Sequence, residues 1–225
     1  MRWTIAVRSQ TIRRSHMDER TRAWSDGRWT TEPVAARQDG AELVVEAAPG
    51  SDFWEKTLYE FQHRSGHALL APWDESDAVE VSFDLRGFHE LYDQAGLMLW
   101  TSPEHWIKAG IELNDGVLSV GAVVTDQHSD WSLSPVPEWN GSIVTIRASR
   151  SNDAVILRAT ATGHEWRTIR VARFVSATPA EAGPFLCAPK RAGLQVRFTR
   201  WALTEPDAEL HWVPPATLTR REQLP

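Results

Sequence analysis

The chain is poor in cysteine, in long apolar runs and in clusters of basic residues. Its one cysteine, Cys187, cannot form an intramolecular disulfide or a four-thiolate zinc site, and a lone thiol fits a reducing compartment such as the cytoplasm. No run of about 18 or more apolar residues is present, so no membrane span is predicted. Residues 1–14 contain arginines but no continuous apolar segment, which argues against a secretory signal; a natural start at Met1 or Met17 is left open.

Net charge and histidine spacing argue against nucleic-acid binding and against a metal site. The formal net charge is −6, whereas nucleic-acid binding needs a positive surface, so no nucleic-acid partner is expected. His63 and His67 are four residues apart, but Gly66 between them disfavours a helix that would place both on one metal ion. His128 and Asp130 lack an evident third ligand. We therefore predict no metal ion and no other cofactor.

Short alternating segments separated by turn residues run through most of the chain. Many such segments indicate an antiparallel all-β sandwich rather than alternating β-α units. We predict one domain at 23–203, flanked by a mobile extension at 1–22 and a mobile tail at 204–225, in which Trp212 is a candidate to dock on the domain. Only short helices are expected, for example near Pro103–Trp106. The predicted strands are Glu42–Ala47, His67–Leu70, Ala78–Leu85, Asp93–Trp100, Trp106–Leu113, Val117–Val124, Ile143–Ser149, Ala154–Thr160, Trp166–Ala172 and Leu194–Leu203.

The segment from Trp106 to Glu112 separates polar from apolar residues. Successive strand residues point to opposite sides, so Trp106, Lys108 and Glu112 share one face with Gly110. The other face is wholly apolar. The charges on the first face are either solvated surface groups that contribute little to stability or the floor of a polar binding groove. The neighbouring indole and the apolar opposite face favour the groove.

Two nearby segments offer further candidate ligand contacts. Asp93 and Gln94 precede Gly96, which would let a ligand or another backbone approach closely. Asp130 and Trp131 lie in a predicted loop and place a carboxylate beside an indole, as in a sugar-binding loop. The same loop also fits a purely structural turn held by side-chain bonds to the backbone. The chain's 12 tryptophans serve as core fillers or as stacking platforms for sugar rings.

A set of motifs in sequence order resembles one protein family. The motifs are D-F-W-E-K-T-L-Y-E-F at 52–61, G-H at 66–67, Y-D-Q-A-G-L-M at 92–98, W-I-K-A-G-I-E at 106–112, V-V-T at 123–125, S-D-W-S at 129–132 and C-A-P at 187–189. Together they resemble the regulation-of-enolase-like family, a domain of unknown function, from about Trp24 to Leu203. The resemblance implies a concanavalin A-like jelly-roll sandwich of two antiparallel sheets. The motif residues Trp54, Tyr59 and His67 join the candidate ligand contacts.

Three positions, in two motifs, depart from the family pattern. The family usually has T-H-Y-G-F where this chain has Thr57-Leu58-Tyr59-Glu60-Phe61, and it usually has a serine where this chain has Cys187. If the missing histidine belongs to a family site, that site is altered here. The role of Cys187 is left open.

Three functions fit these residues. We predict a soluble carbohydrate- or small-ligand-binding domain whose ligand lies in a polar concave groove. One alternative is an enzyme acting on a sugar-like metabolite with Glu112 as acid or base and Lys108 as its electrostatic partner. Another is a regulatory module that binds a protein partner, as the family name suggests. Hydrolysis of β-glucans is not expected, because it needs paired carboxylates and Asn114 and Gly116 follow Glu112 at alternate positions.

Overall fold

The computed structural model describes residues 19–175 and 179–211, and β-strands dominate this part of the chain. Its helices are two single 3-10 turns at Trp24–Asp26 and Pro137–Trp139. Within these residues no helix is long and apolar enough to cross a membrane. The strands are β1 (Arg20–Thr21), β2 (Arg28–Trp29), β3 (Ala35–Asp39), β4 (Glu42–Glu46), β5 (Phe53–Glu55), β6 (Gln62–Arg64), β7 (His67–Trp73), β8 (Ala78–Asp84), β9 (Gln94–Ser102), β10 (His105–Asn114), β11 (Val117–Asp126), β12 (His128–Pro135), β13 (Ile143–Ser151), β14 (Ala154–Ala161), β15 (Arg167–Arg173), β16 (Ala180–Cys187) and β17 (Gln195–Thr204).

Two large antiparallel sheets form the molecule, which confirms the predicted jelly-roll sandwich. The eight-stranded sheet has the order β15-β14-β13-β8-β17-β4-β3, with β1 also paired to β17. The seven-stranded sheet has the order β12-β11-β10-β9-β16-β7-β2. A separate hairpin of β5 and β6 completes the set. Neighbours in the sheets are often distant in sequence, as with β9 and β16, so the order of strands brings remote motifs together.

The main hydrophobic core lies between the two large sheets. Alternate residues of each strand point into it, including Val81 and Phe83 from β8 and Ile107, Ala109 and Ile111 from β10. The remaining residues of β10 point to the outer face of the seven-stranded sheet, where Lys108 and Glu112 lie. The predicted division of β10 into a polar and an apolar face is therefore confirmed.

Several elements differ from the sequence-based prediction. The expected helix near Pro103–Trp106 is instead a tight turn that joins β9 to β10. The segment around Asp130 and Trp131, predicted as a loop, belongs to edge strand β12. Strand β16 was not predicted, because it is buried on both faces and contains Gly183 and Pro184, so it shows no alternation.

Parts of both predicted extensions join the sandwich. Strand β1 pairs with β17, and the start of the tail packs on the outer face of the eight-stranded sheet. The buried carboxylate of Asp207 accepts hydrogen bonds from Arg147 Nε and Arg158 Nε, each 2.8 Å long. Arg158 also donates to the backbone carbonyl of Leu210. The candidate docking residue Trp212 lies outside the described residues, as does the alternative start at Met17.

Candidate functional site

A row of three glycines crosses the outer face of the seven-stranded sheet. Gly96, Gly110 and Gly121 are direct neighbours on β9, β10 and β11. A Cβ atom at Gly96 would lie 2.1 Å from the carbonyl oxygen of Ala109, and a Cβ at Gly121 would lie 2.0 Å from that of Ser132. Only glycine allows backbones to approach this closely. The row leaves a strip of sheet without side chains, across which longer neighbouring side chains can lie.

Lys108 is the buried cation of this face. Its side chain is 5% exposed, and Nζ donates to Gln94 Oε1 at 2.8 Å and to Asp52 Oδ1 at 3.1 Å. Burial alone would lower the pKa of Lys108, but the neighbouring Asp52 carboxylate raises it above the ordinary value. Lys108 is therefore a charged ammonium ion that donates to the Asp52 carboxyl group.

Glu112 is a buried residue whose carboxyl group has an unpaired oxygen within residues 19–175 and 179–211. It lies opposite Gln94 on β9 and Ser119 on β11, and it is 8% exposed. Its buried Oε1 receives no hydrogen bond from any described residue. Burial raises the pKa of Glu112 to about 7; the Lys108 charge opposes this rise, and the Asp52 charge adds to it. Near neutral pH, Glu112 can thus either accept or donate a hydrogen bond.

These polar groups form part of a cavity of about 350 Å³ with aromatic walls. Trp54 packs against Trp131 edge-to-face at 6.5 Å between ring centroids and against Tyr59 at 6.1 Å. Tyr59 in turn stacks on Phe61 at 5.1 Å. The cavity is lined by Gly50, Asp52, Trp54, Tyr59, Phe61, His63, Tyr92, Gln94, Lys108, Glu112, Val123, Trp131, Pro189 and Lys190. It therefore combines flat apolar rings with hydrogen-bonding groups, the composition of small-ligand sites.

The hairpin of β5 and β6 holds the aromatic wall over the sheet. Fully buried Glu55 accepts hydrogen bonds from Gln62 and Arg64 across the hairpin. The backbone N–H of Glu55 donates to Ser129 Oγ on β12 at 2.9 Å, which ties the hairpin to the sheet. The loop between the strands places Glu60 at φ 59°, a left-handed conformation that the family's usual glycine would adopt without strain.

Comparisons with known proteins identify the family. The family model described as "Protein of unknown function (DUF1349)" matches residues 29–206. This chain belongs to the DUF1349 family. Regulation of enolase protein 1 from Saccharomyces cerevisiae is 33% identical over 183 residues, which cover 81% of this chain and 91% of that protein. The predicted resemblance to the regulation-of-enolase-like family is therefore confirmed.

Solved structures show the same fold. A functionally unknown protein from Saccharomyces cerevisiae is 31% identical with a TM-score of 0.73, over 81% of this DUF1349 protein and 98% of that chain. Lectin I-B4 from Griffonia simplicifolia is 11% identical with a TM-score of 0.51, over 80% and 93% of the two chains. A xylan β-1,4-xylosidase from Bacillus halodurans is 15% identical with a TM-score of 0.57, over 73% of this chain and 33% of the enzyme. The last two likenesses establish the fold alone.

Six of the ten residues that the sequence predicts as ligand contacts line one cavity of this DUF1349 protein. They come from the β5–β6 hairpin, β9, β10 and β12, which the strand order described above brings together. The six are Trp54, Tyr59, Gln94, Lys108, Glu112 and Trp131. The candidate catalytic pair Lys108 and Glu112 is thus part of a cavity rather than of a flat solvated face.

Four predicted contacts lie away from the cavity and have structural partners instead. His67 is fully buried; its Nε2 accepts the Ala48 N–H, and its Nδ1 lies 3.0 Å from the Thr31 carbonyl oxygen. Trp106 is buried against Phe53 beneath the cavity. The other two predicted contacts, Asp93 and Asp130, form ion pairs, with Arg191 at 2.8 Å and with Arg170 at 3.0 Å.

Sequence reasoning missed several lining residues. Asp52 opens the first family motif, but only the structure shows that it binds Lys108. Lys190 Nζ lies over the Tyr92 ring, 5.9 Å from the ring centroid, in a cation–π contact. Neither residue belongs to a segment whose sequence predicts a strand. The thiol of Cys187 is buried nearby, and burial raises its pKa far above the ordinary range, so it stays protonated.

Proposed function

We propose that this protein binds a small polar ligand with one apolar ring face, and that a carbohydrate is the ligand class that fits best. One observation carries the proposal: Glu112 lines a roomy cavity, and its buried Oε1 has no hydrogen-bond partner among the described residues. Buried polar groups are normally hydrogen-bonded, so an unpaired one in a cavity indicates a partner supplied from outside.

The aromatic wall supports a sugar over other polar ligands. A pyranose ring has an apolar face of C–H groups that packs on an indole, and hydroxyl groups on its rim that need donors and acceptors. Trp54 and Trp131 supply the indoles, while Lys108, Gln94 and Glu112 supply the polar groups. The cavity volume of about 350 Å³ lies at the lower end of the range for small-molecule sites, so it suits a small ligand.

The proposal is tested by screening monosaccharides and polyols against the purified chain with ligand-observed NMR. We expect at least one pyranose to bind, and Trp131→Ala to weaken that binding by about 1–3 kcal/mol while the thermal unfolding midpoint stays unchanged. Val171→Ala, at an exposed strand position outside the cavity, is the matched control and should bind like the wild type. Equal binding by the Trp131→Ala variant would contradict the placement of the ligand in this cavity.

A catalytic role is a second candidate, because burial raises the pKa of Glu112 to about 7 beside the Lys108 ammonium group. A buried carboxyl group whose pKa is raised toward neutral pH is typical of acid–base sites. Incubation of the chain with the sugar that binds, followed by NMR, tests it directly. New product signals that disappear with Glu112→Gln would support an enzyme.

A regulatory role through a protein partner is the third candidate. It is supported by the name of the relative, Regulation of enolase protein 1, and by apolar side chains exposed at the cavity rim. Leu58 is 82% exposed there, next to exposed Tyr59 and Phe61. Gel filtration of the chain mixed with an enolase tests this role, with Leu58→Ser as the variant expected to reduce co-elution. The cytoplasmic location stays a prediction.

A further inference from the structure

Lys108 and Glu112 leave complementary hydrogen-bonding capacity in the same part of the cavity. A lysine ammonium has three N–H donors, and Asp52 and Gln94 accept two of them. Among the described residues, no further acceptor binds the third N–H of Lys108, and no donor binds the buried Oε1 of Glu112. The site therefore offers one free donor and one free acceptor.

The two free groups lie close to each other despite four residues of separation. Gln94 is the direct cross-strand neighbour of Glu112, and such neighbours have Cβ atoms about 4.5–5.5 Å apart. The Lys108 side chain reaches Gln94 Oε1 at 2.8 Å by lying along the strand past Gly110, which has no side chain to obstruct it. One ligand atom can therefore meet both groups.

Resting on the proposed binding function, we propose that the ligand presents a hydroxyl group that accepts a hydrogen bond from Lys108 Nζ and donates one to an ionised Glu112 carboxylate, so that binding is linked to loss of the Glu112 proton. A hydroxyl group is both donor and acceptor. A carboxylate could not donate to Glu112 and would also face Asp52. An ammonium group could not accept from Lys108 and would face a second positive charge.

The charged groups around Glu112 favour a neutral ligand. Asp52, before β5, and Lys108, on β10, offset each other as an ion pair. Burial raises the pKa of Tyr92, before β9, so its phenol is neutral. His63 on β6 and Lys190 after β16 lie on the cavity lining, while β11 and β12 contribute only uncharged side chains. When Glu112 is ionised, its negative charge offsets the positive charge of Lys190. The hydroxyl group of an uncharged sugar therefore meets no net charge in the cavity.

The sign of the pH dependence follows from which form of Glu112 the ligand stabilises. In the free protein, burial raises the pKa of Glu112 to about 7. A hydrogen bond donated to the carboxylate favours the charged form, so the pKa of Glu112 falls in the complex. Affinity should then rise as the pH increases, by up to about tenfold per pH unit well below pH 7, and level off above about pH 8. A carboxylate-bearing ligand would bind more tightly as the pH falls, the opposite trend.

The test measures binding of D-glucose, D-galactose and D-xylose at pH 6, 7 and 8 by calorimetry in two buffers of different ionisation enthalpy. For a sugar that binds, we expect affinity to rise about fivefold from pH 6 to pH 7 and about twofold more from pH 7 to pH 8, with proton release at pH 6. Glu112→Gln should bind more weakly at pH 8 and lose the pH dependence, because its amide does not titrate.

Further outcomes separate this inference from the proposed function. Binding that is independent of pH, a pH dependence that persists in Glu112→Gln, or tighter binding at lower pH would overturn the inference alone. A deoxy analogue of the binding sugar that loses affinity and the pH dependence together would identify the hydroxyl concerned. Failure of all three sugars to bind at every pH would overturn the proposed function, and the inference with it.

Discussion

At the scale of single residues, Glu112 is the group whose presence most needs an explanation. A carboxyl whose pKa rises from 4.5 to about 7 destabilises the folded state by about 3 kcal/mol once the pH is well above 7. The structure gives no hydrogen bond within the described residues to offset this cost. A residue that weakens the fold and faces a cavity is typical of a functional site, where stability and function conflict.

Replacement of Glu112 by glutamine should therefore stabilise the protein in a pH-dependent way. Because the folded state holds the Glu112 proton between pH 4.5 and about 7 and the unfolded state does not, wild-type stability falls as the pH rises through this window. In urea unfolding, we expect Glu112→Gln to add about 2–3 kcal/mol at pH 8 and under about 1 kcal/mol at pH 5. Exposed Glu165→Gln is the matched control and should change neither value. A Glu112→Gln variant less stable than wild type at pH 8 would contradict the account.

At the scale of elements, the hairpin of β5 and β6 decides whether the seven-stranded sheet has a flat face or a cavity. Its strands are three residues each, and the connecting loop holds Lys56, Leu58 and Glu60 at positive φ. Such short strands and irregular turns give no alternation to detect. The sequence therefore predicts the polar face of β10 correctly but not the wall above it, and Phe61 and Tyr92 were not foreseen as lining residues.

Strands with one buried face were predicted well, because their residues alternate between apolar and polar. β8, β10, β13 and β14 alternate between the core and an outer face, so their residue pattern shows both the strand and its orientation. His67, Asp93 and Trp106 were predicted as ligand contacts but do not line the cavity. A residue's identity within a sequence motif does not show which group its side chain contacts. An ion pair or a backbone carbonyl satisfies a buried polar group as well as a ligand does.

The tail segment that follows β17 forms part of the folded domain, which a single substitution can test. Asp207 is fully buried between Arg147 and Arg158, and removal of one member of a buried ionic group leaves uncompensated charge. We expect Asp207→Ala to destabilise the protein by about 3–5 kcal/mol in urea unfolding. Glu209→Ala, at an exposed position two residues later, should have no measurable effect. A stable Asp207→Ala variant would show that the segment does not support the sandwich.

At the scale of the whole molecule, family and fold are established, and the proposed function rests on the cavity. The related fold occurs in a lectin and in a xylosidase, so the sandwich alone does not choose between binding and catalysis. The choice lies in the cavity, where Glu112 is followed by Asn114 and Gly116 rather than by further carboxylates. This arrangement favours recognition of hydroxyl groups over hydrolysis by paired carboxylates.

The central claim is that Glu112 and Lys108 receive a sugar hydroxyl beneath an aromatic wall. A crystal structure of the chain with the most tightly bound monosaccharide at pH 8 tests it most directly. The account predicts one hydroxyl oxygen within about 2.5–3.2 Å of both Lys108 Nζ and a Glu112 carboxylate oxygen, with the sugar ring packed on Trp131. A sugar bound elsewhere, or a Glu112 carboxyl that pairs with a protein group while the sugar occupies the cavity, would contradict it.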